Sequence, residues 1–142
     1  FISAAMKVVT DVERIGDHAA DIAEIVPHLA GVRKAGDPAV SQSIEMGRKA
    51  HKMILDAVSA FASEDETAAR IVIDADDAVD YDFNAIKRML AGEIAADPAK
   101  VDAALDVLMV IKYLERIGDH AVNIAEWVEF LRTGCYRHEK MF

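Results

Sequence analysis

The chain is 142 residues long, with 25 acidic and 16 basic side chains, a formal charge of −9 and a hydrophobic fraction of 53%. Such a length suits one domain burying about two thirds of its unfolded surface, and so apolar a composition excludes a disordered chain. The acid excess argues against binding a nucleic-acid backbone, lone Cys135 rules out an internal disulfide framework or an unaided thiolate zinc site, and no apolar run is long enough to span a membrane.

Helix formers dominate between a few breakers, and the spacing predicts four helices, over 2–29, 38–62, 65–95 and 98–133. Helix one carries the stripe Val8, Val12, Ile15, Ala19, Ile22 and Val26, with Pro27 and the Gly31 to Pro38 stretch as breakers near and beyond its end. Asp37-Pro38 opens helix two, with an acceptor at the N-cap and proline in the first turn. Its predicted seam is Val40, Ile44, Gly47, His51, Ile54, Val58 and Phe61. Ser63 stands three residues before Glu66, the spacing of a capping box for helix three. That helix offers Val72, Ala75, Val79, Phe83, Ile86 and Leu90. Asp97-Pro98 repeats the earlier start signal, and helix four presents Val110, Leu114, Ile117, Ala121, Ile124 and Val128. Alternating three- and four-residue steps keep each stripe on one side, no segment sustains a period of two, and the connections are short. The expected fold class is all-α, an antiparallel helical bundle.

Self-similarity is the sharpest signal in the chain. Glu13-Arg14-Ile15-Gly16-Asp17-His18-Ala19 recurs letter for letter as Glu115-Arg116-Ile117-Gly118-Asp119-His120-Ala121, and Ile22-Ala23-Glu24 returns as Ile124-Ala125-Glu126. The chain therefore holds two copies of one helix, set a three-helix unit apart. Helix one has no such pair before it, and the chain opens on Phe1, so it reads as a fragment whose upstream pair lies elsewhere.

Both copies carry Glu-x-x-x-Asp, two carboxylates one turn apart on one face. On a helical wheel Glu115 and Asp119 fall roughly 140° and 180° from Val110, away from the seam, with Asn123 and Glu126 on the same outward side. Helix three adds Asp74, Asp76, Asp77, Asp80 and Asp82, of which Asp76 and Asp80 form a further pair at the same spacing. Like charges one turn apart destabilise a helix unless something neutralises them. One such pair alone reads as a solvated acidic face. Repeated verbatim, beside a third pair, it points to a cation site suited to Mg, Mn or Ca, and with histidine nearby to iron or zinc.

Gly16 and Gly118, mid-helix, each cost about 1 kcal/mol relative to alanine, so a backbone or ligand is expected to approach there. His18 and His120 sit off the seams as surface or supporting residues, and His51 is expected in the core. The methionines read as gap-filling core, Cys135 as a bystander, and Trp127 with Phe130 as helix packing or a partner surface. No glycine-rich phosphate loop, G-x-S-x-G or H-E-x-x-H is present, and a Glu-to-His spacing of five does not fit a di-iron oxidase. The expectation is that the protein is not an enzyme.

The two Glu-Arg-Ile-Gly-Asp-His-Ala copies, each running into Ile-Ala-Glu, resemble the signature helix of the PhoU family. The Asp74–Asp80 run resembles that family's Asp-rich penultimate helix. The resemblance implies two three-helix bundles in tandem, with residues 1–36 the last helix of an incomplete first repeat and residues 37–142 a complete second one. It implies metal clusters on the bundle surface, held by Asp76, Asp80, Glu115 and Asp119 in the second repeat and in part by Glu13 and Asp17 in the first. It also implies a cytoplasmic negative regulator of phosphate-starvation signalling, linking the ATP-binding subunit of the phosphate transporter to a phosphate-sensing histidine kinase. Neither nucleic acid nor membrane insertion belongs to that role. The competing reading is a helical accessory or oligomerisation module of another ion transporter, without bound metal. Leaving the helix-one stripe in water would be costly, so self-association is expected, with folding back onto the other helices as the alternative.

Overall fold

The computed structural model describes residues 1–136 and 139–140, with side chains to residue 134. Its helices are α1 (Ile2–Ala30), α2 (Pro38–Ser63), α3 (Glu66–Ala96) and α4 (Val101–Thr133), the last preceded by a short 3-10 turn, Pro98–Lys100. Three boundaries fall within a residue of expectation. The fourth is later because Asp97-Pro98 opens the 3-10 turn and α4 begins only beyond it. Cys135–Tyr136 and Glu139–Lys140 pair as a two-residue antiparallel ladder, the one strand pairing among the described residues. The expectation for the Cys135 thiol lies outside the described side chains.

Asp37 caps α2 as expected, accepting from the amides of Ala39 and Val40. The capping box at Ser63 does not form. Asp65 caps α3 by accepting from Ala68, while the Ser63 hydroxyl donates back to Ser59 inside α2. Glu64 makes the turn between these helices in the left-handed region, φ 51°. Pro27 lies within α1, inside the predicted span 2–29.

Helix α4 is the axis of the fold and packs against α1, α2 and α3. Its predicted stripe is largely buried, as are Ala104, Val107, Ile111, Gly118 and Ala125 on a second face. Trp127 is buried too, edge-on to Phe130 at 5.0 Å, so it packs inside the bundle. In α3 the buried set Ala69, Val72, Val79, Ile86 and Leu90 follows the expected stripe.

Helix α2 differs from its predicted seam. Ala39, Met46, Ala50, Met53, Ala57, Ala60 and Phe61 are buried, whereas His51 is exposed and Ile44 and Val58 are largely so. Small residues let α2 lie close to its neighbours, and the bulkier Ile44 turns to a cleft between α1 and α2. That cleft, about 570 Å³, is walled by Ile22, Val26, Val40 and Ile44 and floored by Val107 and Leu114. Met46 and Met53 fill the core as expected, but Met6 and Met109 are exposed.

Helix α1 is folded back, lying antiparallel along α4 with Ala4, Val8 and Ile15 buried. Its outer flank, with Met6, Val9 and Val12, is exposed. The two motif histidines meet at this interface. The rings of His18 and His120 stack at 5.6 Å, Tyr113 also stacks with His18 at the same distance, and His120 Nδ1–H donates to Asp11 at 2.9 Å. Asn123 also reaches Asp11, so it faces α1 and not solvent. At the loop end, Arg33 ties the α1–α2 connection to α3 through Asp37 and Glu93.

Candidate functional site

The groove between α3 and α4 gathers the acids singled out from the sequence. Asp76 and Asp80 are one turn apart on α3, and Glu115 and Asp119 are one turn apart on α4. They sit close enough that Glu115 and Asp119 raise the pKa of Asp76 and Glu115 raises that of Asp80. Glu115 does not point straight outward as a single-seam wheel suggests. Its side chain is 18% exposed, because α3 covers the flank of α4 that carries it.

Gly118 positions the innermost carboxylate. A Cβ built there would lie 3.4 Å from Asp76 Oδ1 and 3.6 Å from Val79 Cγ1, so the missing side chain gives Asp76 its space against α4. Asp76 Oδ1 is buried and hydrogen-bonds to nothing among the described residues. Burial first, then Asp80, Asp119, Asp77 and Glu115, push its pKa up to about 6. Asp80 is raised by burial, then by Glu115 and Asp77, while Asp119 is raised by burial, then by Glu115 and Asp80. Asp82 stands apart from the cluster, paired to Lys49 of α2 at 2.8 Å.

An unpartnered buried carboxylate oxygen, a space that a methyl would fill and an all-oxygen donor set suit a hard or borderline cation. Among the described residues no three His, Cys, Asp or Glu side chains stand in ligating geometry. The groove is therefore an array of neighbouring carboxylates rather than a closed coordination sphere. Glu13 and Asp17 are exposed on α1, apart from this groove, and a Cβ on Gly16 would meet nothing within 4 Å.

The two glycines should thus respond differently to substitution. Gly16→Ala is expected to stabilise the protein by about 1 kcal/mol through helix propensity alone. Gly118→Ala should gain much less, because its methyl crowds Asp76 and Val79. Urea unfolding of both variants checks this, and equal gains would mean that α3 does not close on Gly118.

Lys112 went unnoticed in the sequence, although its Nζ lies 2.6 Å from Glu115 Oε1 and 5.4 Å from the centre of the Phe83 ring. The signal was available: beside an identical seven-residue motif, the first copy carries Thr10 at the matching position. Asp11 and Tyr113 were missed in the same way, as a mismatched pair flanking a perfect repeat.

The PhoU domain matches residues 1–26 and 44–128. The phosphate-specific transport system accessory protein PhoU homolog of Clostridium acetobutylicum is 38% identical over 133 residues, covering 94% of this chain and 60% of the relative. The protein of the same description from Caulobacter vibrioides is 39% identical over 134 residues, covering 92% and 56%. The chain thus spans little more than half the length of these curated relatives. The crystal structure of PhoU from Pseudomonas aeruginosa superposes with a TM-score of 0.87 at 34% identity, over 94% of this chain and 64% of that one. That of the phosphate transport system regulatory protein PhoU from Streptococcus pneumoniae gives 0.83 at 29%, over 96% and 63%. With a domain match over most of its length, a duplicated signature helix and the same bundle, this chain belongs to the PhoU family.

Proposed function

We propose that the chain is part of an accessory regulator of phosphate uptake that restrains phosphate-starvation signalling by protein contact and not by catalysis. The observation that carries this reading is the identity, sustained over nearly the whole chain, with accessory proteins of the phosphate-specific transport system. The partners in this reading are the transporter's ATP-binding subunit and a phosphate-sensing histidine kinase, which places the protein in the cytoplasm. Among the described residues no helix is long and apolar enough to cross a membrane. Residues 1–36 are read as the last helix of a first repeat and residues 37–142 as a complete second repeat, with self-association through the exposed flank of α1.

Within this reading the α3–α4 groove holds metal. The unpartnered Asp76 Oδ1 supports it, and Asp76, Asp80, Glu115 and Asp119 are the residues that would hold iron, zinc, manganese, magnesium or calcium. Glu13 and Asp17 would belong to a first-repeat site. A bound cation would neutralise the repulsion between the carboxylates and stiffen the α3–α4 face. Asp119 and Glu115 orient their oxygens from α4, and Gly118 keeps room for Asp76 between them.

Replacing Glu115 and Asp119 together by alanine is expected to remove most of the bound metal with helicity unchanged, read by elemental analysis and circular dichroism on untagged protein. A double variant that keeps its metal would put the ion elsewhere. Deleting the whole gene should derepress phosphate-starvation genes while phosphate is plentiful. Unchanged expression would instead support an accessory module of a different transporter.

A further inference from the structure

We draw no further inference here: the strongest candidate, the aliphatic cleft of about 570 Å³ between α1 and α2, walled by Ile22, Val26, Val40 and Ile44, carries nothing because nothing in the structure shows what covers it.

Discussion

Arg33→Met is expected to destabilise the protein by about 2–3 kcal/mol, the largest single-residue effect outside the hydrophobic core. The Arg33 side chain is only 6% exposed, and it donates to both oxygens of Asp37 and both oxygens of Glu93. One side chain thus joins the cap of α2 to the last turns of α3 and fixes the loop that returns from α1. Methionine would leave both carboxylates without their partner in a partly buried setting, which costs more than the pair itself contributes. Adding Glu93→Met should recover part of the loss, because one stranded charge goes with it. Chemical denaturation of the single and double variants measures this. A loss under about 0.5 kcal/mol for Arg33→Met would place it among ordinary surface pairs.

Asp76→Asn should have the opposite sign. Asp76 titrates at about 6 in the folded chain, against an ordinary value of 3.8, so the native state holds its proton more tightly than the unfolded state. Stability from this group is greatest below pH 3.8 and declines as the pH rises through 6, with the full penalty present above that. Two pKa units correspond at most to about 3 kcal/mol, and solvent at the edge of the groove reduces this to about 1–2 kcal/mol. In EDTA, Asp76→Asn should therefore be the more stable protein by that amount at pH 7.5. The advantage should shrink between pH 6.5 and 4. Asp80 and Asp119, raised in the same direction, leave the variant with a weaker slope of the same sign. A pH-independent difference would mean that Asp76 is not protonated preferentially in the native state.

How much of this was legible depended on how many neighbours each helix has. The stripe of α3 was read correctly because its large residues, Val72, Val79, Ile86 and Leu90, all face one side. In α2 the alanines Ala39, Ala50, Ala57 and Ala60 share the buried face with Met46, Met53 and Phe61, and their small size permits close approach but gives little hydrophobic signal. The pattern of Ile44, His51 and Val58 outweighed them and drew the seam away from that face, Phe61 apart. Helix α4 has three partners, so a wheel drawn from one stripe placed Glu115 and Asn123 on an open face that α3 and α1 in fact cover. The acidic pairs were visible as spacing. That the pairs on α3 and α4 share one groove is a tertiary fact, set by Gly118 and Val79, and no local pattern contains it.

The stacked histidines between α1 and α4 have a consequence for how a duplicated helix diversifies. The contact is isologous within a single chain: His18 meets its own counterpart His120, and the residue at the position of Tyr113 in the other copy, Asp11, meets the opposite histidine. Each copy of the motif supplies one side of that contact. The positions just before the motif differ between the copies. Thr10 stands where Lys112 does, and Asp11 and Tyr113 hold equivalent imidazoles, one by a hydrogen bond and one by an aromatic face. Broken symmetry at two adjacent positions is thus enough to give two identical motifs different electrostatic settings, leaving the shared geometry untouched.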